Sequence, residues 1–211
     1  DEPLLILNSD EVIDCDYASI TDDFLVNQTA SAAILLHQVL HPRYSYASID
    51  SESKVVQVCE KNIISSFALV GFYLYRTASD FISAAFQVLQ SDPFSKQPYY
   101  ISQTLNQIIL AGGDIYHSSI EAEKVHSFYQ PSKIDIYNSN PSQYIRNKMS
   151  AHKKINIVIP ASGKGSRFAV ENWSKPKPFI DLNGLPMIRR VIDNLSTDES
   201  MFNLILLDAH K

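Results

Sequence analysis

Short unbroken apolar runs alternate along the chain with stretches in which apolar residues recur every three or four positions. The runs are Leu4–Leu7, 32–39, 55–58, Phe67–Tyr75, 155–159 and 204–207, and their length and content predict buried strands. Helices fall between them. Thr77-Ala78-Ser79-Asp80 has the spacing of a capping box, in which a hydroxyl and a carboxylate serve first-turn amides. Phe81, Ala84, Ala85, Val88 and Leu89 follow at helical spacing and predict one inward stripe. A second helix is expected from Ser102, with Leu105, Ile108 and Ile109 inward and a stop at Gly112-Gly113. A third is expected over about 186–195, burying Ile188, Val191, Ile192 and Leu195. Strands alternating with helices predict an α/β protein with a mostly parallel central sheet between helical layers. The polar stretch 138–154, which includes Asn140-Pro141, reads as a short terminal helix followed by a linker.

Composition narrows the class. The 211 residues allow one sizeable core or at most two small ones, and 45% apolar against 19% charged residues is a globular balance. The apolar runs are too short to span a bilayer, so no membrane partner is expected. Asp1-Glu2-Pro3 shows no signal-peptide pattern. Two cysteines, Cys15 and Cys59, predict no disulfide scaffold and a reducing, cytoplasmic setting. The net charge of −5 opposes a role as a general nucleic-acid binder. Its distribution is uneven: up to Glu60, eleven acidic residues face only Arg43 and Lys54. Over 151–178, Lys153, Lys154, Lys164, Arg167, Lys175 and Lys177 face Glu171 alone. Two solvated surfaces of opposite sign would account for this, as would a basic phosphate-binding segment opposite an acidic, metal-holding one.

The segment Ile155-Asn156-Ile157-Val158-Ile159-Pro160-Ala161-Ser162-Gly163-Lys164-Gly165-Ser166-Arg167-Phe168 runs from a strand into a loop of small residues and then a cation. Such a loop can bring backbone N–H groups close to phosphate oxygens, although the glycines alone fit an ordinary tight turn equally well. It is not a P-loop, because Lys164 precedes Gly165 and Val158 stands where the upstream glycine belongs. Nor is it a dinucleotide fingerprint, which needs a third small residue where Phe168 stands.

Downstream lies Trp173-Ser174-Lys175-Pro176-Lys177-Pro178-Phe179-Ile180-Asp181-Leu182-Asn183-Gly184-Leu185-Pro186-Met187-Ile188. A strand, Gly-x-Gly-Ser-Arg, Pro-Lys-Pro and Gly-x-Pro-Met-Ile occur in this order, and together they resemble the sugar-phosphate nucleotidylyltransferases (NDP-sugar pyrophosphorylases such as glucose-1-phosphate thymidylyltransferase). Leu185 departs from the lysine many members carry. The resemblance implies a Rossmann-like three-layer α/β/α fold, a nucleoside triphosphate and a sugar 1-phosphate as substrates, and Mg²⁺ as cofactor. It implies that Ala161, Ser162, Gly163, Lys164, Gly165 and Ser166 wrap the triphosphate. Arg167 would hold the departing pyrophosphate, and Lys177 would bridge the α-phosphate and the sugar phosphate. The loop with Trp173 looks closest to members serving surface-polysaccharide pathways.

The other half carries the remaining implied residues. The strand Leu4–Leu7 leads to Ser9-Asp10, where the family has Gly-Asp, and Asp10 is the implied magnesium ligand; magnesium accepts one or two carboxylates plus phosphate oxygens and water. A turn-capping role is the alternative for Asp10. A hairpin ending in Glu60-Lys61 resembles the family's sugar-binding pair, with Asn62 in place of its usual proline. Glu60 would then accept from sugar hydroxyls and Lys61 would contact the sugar phosphate, while a solvated ion pair is the competing account. Gly71, in a Gly-x-Tyr strand, would let the sugar approach the backbone, and Tyr73 and Tyr75 read as core. The second metal carboxylate is expected just past a strand, at Asp135, with Asp114 as the substitute.

Relative to the family the two halves stand in reversed order, 149–211 being the nucleotide-binding half and 1–148 the sugar- and metal-binding half of a single domain, with a middle segment missing. Met149 to Lys154 resembles a native start. An engineered permutation, a slice of two tandem copies, or segments joined out of order would each produce this. His37, His41, His117, His126, His152 and His210 are scattered, so covalent catalysis is not indicated. The competing functions are a non-catalytic binding domain of the same fold and a cytidylyltransferase acting on phosphocholine or a polyol phosphate. The sequence leaves the base, the sugar and the oligomeric state open, and a homo-oligomer is compatible with it.

Overall fold

A computed structural model describes residues 2–92, 96–139, 154–171, 173–195 and 201–208. The fold class is α/β, as the alternation predicts, and the chain divides into two compact units, 1–5 with 22–122 and 6–21 with 123–211. The first strand, β1 (Leu4–Leu7), is buried along its whole length and passes from one unit to the other. No helix among the described residues is long and apolar enough to cross a membrane.

The first unit is built on β3 (Ala30–Gln38), which pairs antiparallel with β6 (Phe67–Tyr75) and parallel with β7 (Asp114–Ile120). The centres of β3 and β6 are apolar without alternation because both faces are buried. The hairpin of β4 (Ser45–Ile49) and β5 (Val55–Glu60) joins the sheet through β6. Between the pairs Ile34–Tyr73 and Leu36–Leu69 the ladder slips, so three residues centred on Gly71 oppose Leu35. Gly71 therefore sits in a buried β-bulge, a backbone reason for glycine beside any ligand role. Tyr73 and Tyr75 are core, as expected.

The capping box of α2 (Ala78–Ser91) is present: Asp80 N donates to Thr77 Oγ1 at 3.1 Å, and Thr77 N to Asp80 Oδ2 at 3.0 Å. Ala84 and Val88 are buried as expected, whereas Leu89 is 45% exposed because it falls at the rim of the stripe. Helix α3 (Ser102–Leu110) begins where the sequence placed it and ends in a Schellman motif. Gly113 N donates to Ile108 O and Gly112 N to Ile109 O, both at 2.9 Å, with Gly112 at φ +82°. A Cβ on Gly113 would lie 2.8 Å from both Ile108 Cγ2 and Ser31 Oγ, so the second glycine is required for packing. Helix α1 (Tyr17–Val26) runs from the second unit into the first. In the first, Arg76 donates to the carbonyls of Phe24 and Asn27, closing its last turn.

In the second unit β9 (Asn156–Pro160) pairs parallel with β12 (Met201–Ile205), and β2 (Glu11–Ile13) pairs antiparallel with β8 (Val125–Ser127). Helix α4 (Pro131–Asn138) follows. The chain next runs through α5 (Ser166–Val170) into a small hairpin of β10 (Asp181–Leu182) and β11 (Leu185–Pro186), which leads to α6 (Met187–Asn194). Helix α6 buries Met187, Ile188 and Val191, and Leu195 just past its end, while Ile192 is only half-buried. The buried Asn194 amide donates to Ile13 O at 2.9 Å and ties α6 to β2. Of the apparent start at Met149 to Lys154, all but Lys154 lies outside the described residues, as does most of the polar stretch 138–154.

Several elements escape the sequence patterns, β7, α1 and α4 among them. Strand β7 carries His117-Ser118-Ser119 in its middle, and α1 mixes acids into its apolar positions. Asp135 was expected just past a strand but lies exposed within α4, because Pro131 at the first helical position starts a helix there.

Candidate functional site

The second unit brings together the glycine loop, a lysine and the carboxylate of Asp10, which lies in the turn before β2. The loop leaves the carboxyl end of β9, where chemistry collects in α/β sheets. Ala161 is buried, and its N–H extends the ladder to Ile205 O at 2.8 Å, while Ser162, Gly163 and Lys164 are exposed beyond it. No atom lies within 4 Å of where a Cβ on Gly163 would stand. Gly165 has φ +60°, and a Cβ there would meet Lys177 Cβ at 3.3 Å, so glycine lets the loop fold against Lys177.

Lys177 opens a short 3₁₀ turn, Lys177–Phe179. Its ammonium donates to Asp10 Oδ2 and stands 5.3 Å from the centroid of the Phe168 ring. Both side chains are mostly buried, at 18% exposure for Lys177 and 26% for Asp10, so the pair is better shielded than a surface salt bridge. Asp10 is held by its backbone as well, because Phe128 N donates to Asp10 O at 2.8 Å where the β2–β8 ribbon ends. Phe168 is buried, meets Trp173 in a T-shaped ring contact and gives Lys177 an apolar neighbour.

Arg167 is exposed, and one guanidinium N–H reaches Tyr129 O at 3.3 Å, the residue after the one that anchors Asp10. Lys175 is committed elsewhere, to Asp181 at 2.8 Å, with both side chains about half exposed. This supports Lys177 over Lys175 as the working cation. Ser166 is the first residue of α5 and is exposed.

A magnesium ion would find one carboxylate here, Asp10. Ser127, not an acid, ends β8, and the Asp135 carboxylate is exposed on α4, where the residue's backbone carbonyl accepts from Ser139 N at 3.0 Å. Among the described residues no three His, Cys, Asp or Glu side chains cluster in a metal-holding arrangement. One carboxylate with phosphate oxygens and water still fits the way magnesium is commonly held.

The other sequence-singled residues lie in the first unit. Glu60 ends β5 half-buried, and its carboxylate accepts from Ser45 Oγ and, at 2.7 Å, from Ser102 Oγ. Lys61, at φ +54°, donates to Tyr100 Oη. The two side chains therefore go to separate partners rather than forming an ion pair with each other. The serines were not legible in the sequence, since β4, β5 and α3 must first assemble.

Two titratable groups stand outside this chemistry. Burial pushes the Cys15 thiol up to about 12, so it is inert, and both cysteines are free. Burial, aided by the Arg43 charge, lowers His37 to about 4, and neither ring nitrogen has a partner among the described residues.

Comparison with known proteins bears on the fold. The solved nucleoside-diphosphate-sugar pyrophosphorylase of Vibrio cholerae RC9 superposes with a TM-score of 0.54 at 20% identity, covering 64% of this chain and 55% of that one. That likeness establishes the α/β fold that the two share. A glucose-1-phosphate thymidylyltransferase structure from Bacillus anthracis matches over 56% of this chain and 46% of its own, with a TM-score of 0.43 and 23% identity. In sequence, the 2-aminoethylphosphonate cytidylyltransferase of Lancefieldella rimae is 46% identical over 50 residues, 24% of this chain and 20% of that protein. The chain thus spans about half of the solved pyrophosphorylase and a fifth of the curated relative. No family model matches.

Proposed function

We propose that this chain transfers a nucleotidyl group from a nucleoside triphosphate to the phosphate of a sugar 1-phosphate, releasing pyrophosphate in a magnesium-dependent reaction. The observation that carries this reading is the Asp10–Lys177 pair closed over by Gly165. An acceptor phosphate oxygen attacks the α-phosphorus in line. A new P–O bond forms as the bond to the β-phosphate oxygen breaks, and the electron pair leaves with pyrophosphate. Two anions must meet for this, so the protein's task is to position them and offset their repulsion. Bound magnesium supplies positive charge at the triphosphate, and Asp10 would hold it.

Lys177 serves between the α-phosphate and the acceptor phosphate, and Arg167 at the β- and γ-phosphates. The exposed backbone of Ser162, Gly163 and Lys164 offers N–H groups to phosphate oxygens. In the free protein Lys177 and Asp10 neutralise each other. A metal held by Asp10 and a phosphate held by Lys177 would each take that partner's place, so neither charge would be left buried alone.

A second reading is favoured by the 46% identity with a 2-aminoethylphosphonate cytidylyltransferase, whose name gives CTP chemistry on an aminoalkyl phosphonate. The same residues serve either acceptor. The test is pyrophosphate release from the protein with Mg²⁺, each nucleoside triphosphate, and a panel of sugar 1-phosphates alongside 2-aminoethylphosphonate and phosphocholine. Release with a sugar 1-phosphate supports the first reading, and release only with the amino compounds supports the second. Nucleotide binding without release from any pair would make the chain a binding domain.

A further inference from the structure

Glu60 is held in a way that points to a ligand. Its two hydrogen-bonding serines are buried and come from different elements, Ser45 from the start of β4 and Ser102 from the first residue of α3. Both donate to the same oxygen, Oε2, and among the described residues none donates to Oε1. One turn along α3, the Asn106 side chain donates to Val58 O at 2.7 Å and accepts from Val58 N at 2.8 Å. Ser102 and Asn106 thus face β5 together and meet it at Val58 and Glu60, two positions apart on the same face of the strand. The helix is locked in register against the strand, and the carboxylate is locked by the helix.

The following residue is fixed too. Lys61 takes a left-handed backbone, which costs energy in a non-glycine residue, and its ammonium sits 4.3 Å from the Tyr100 ring centroid while donating to the Tyr100 hydroxyl. A carboxylate with one oxygen doubly held and the other open is an oriented acceptor. Beside it stands an oriented cation.

We propose that Ser45, Ser102 and Tyr100 are positioning residues that aim Glu60 and Lys61 at the acceptor substrate, Glu60 taking a hydroxyl or ammonium donor and Lys61 an anionic group. This rests on the nucleotidyl-transfer reading for the identity of the ligand, and it adds the residues that set the site's geometry. A carboxylate that merely caps α3 would need no open oxygen and would not affect ligand affinity.

The test is calorimetric titration of the whole chain, without nucleotide, with glucose 1-phosphate and separately with 2-aminoethylphosphonate. For whichever probe the wild type binds, Ser45→Ala and Ser102→Ala are each expected to weaken binding about fivefold to tenfold, the scale of one ordinary hydrogen bond. Affinity for the nucleoside triphosphate should stay unchanged, and Ser45→Thr, which keeps the hydroxyl, should restore probe affinity. If the alanine variants lose thermal stability yet bind the probe as the wild type does, the serines only fasten α3 to β5 and the proposal is overturned. A wild type that binds neither probe overturns it as well. Probe binding that responds to the serines, in a protein that releases no pyrophosphate, would uphold the positioning role and remove the transferase reading.

Discussion

Lys177 and Asp10, 167 residues apart in the sequence, share a hydrogen-bonded ion pair that is largely shielded from solvent. A pair this sheltered is costly to break one-sidedly, because the remaining charge is left without a partner. Under the proposed function, a magnesium ion held by Asp10 and a phosphate held by Lys177 would replace it without that cost.

The carboxylate assignments separate first. Asp10→Asn should reduce magnesium-dependent pyrophosphate release by about a hundredfold or more, the usual scale for losing one group that stabilises developing charge. Asp135→Asn reports on a side chain that α4 leaves exposed, and turnover within about twofold of wild type is expected. A magnesium titration of both variants checks this, and a raised magnesium requirement in Asp135→Asn would restore that residue as a ligand.

The two loop glycines should behave differently. Gly165→Ala forces a side chain into a left-handed backbone, at a cost of about 1–2 kcal/mol, and pushes against Lys177. Lower thermal stability and a kcat reduced roughly tenfold to a hundredfold are expected, since small misplacements of a catalytic group are expensive. Gly163→Ala meets open space, so its melting temperature should match the wild type and any defect should appear in KM for the nucleotide.

Thr77→Ala removes the hydroxyl of the α2 capping box. A loss of about 1 kcal/mol, or about 2–4 °C in Tm for a chain of this size, is expected with kcat unchanged. Thermal melts and steady-state rates measure the two effects separately.

His37 makes stability depend on pH. Its folded value of about 4 lies below the ordinary 6.5, so between the two the unfolded chain takes up a proton that the folded one refuses. Stability is therefore full above about pH 6.5 and falls as the pH drops toward 4, by on the order of 2–3 kcal/mol. Denaturant unfolding of His37→Leu across this range should show a shallower acid loss than the wild type.

Much of this fold was legible because its signals are local. Thr77 and Asp80 lie three apart and cap each other as the spacing predicts, and Gly112-Gly113 closes α3 in the motif that two glycines allow. Leu89 was misplaced because a helix stripe has edges that periodicity does not locate. Asp135 was misplaced because an acid after apolar residues reads as a strand end, whereas Pro131 had already started a helix. The site was legible as a set of residues but not as a geometry. No spacing rule joins residue 10 to residue 177, and Ser45 and Ser102 converge on Glu60 only after three elements have packed.

The most direct measurement is pyrophosphate release by Lys177→Ala beside the wild type, with Mg²⁺, the nucleoside triphosphate the wild type accepts and its best acceptor, both proteins first shown to be folded by their thermal melts. The account predicts that the wild type turns over and that the variant loses about a hundredfold to a thousandfold in kcat, the scale of removing one charge-stabilising donor. A folded Lys177→Ala protein that releases pyrophosphate at the wild-type rate would contradict it.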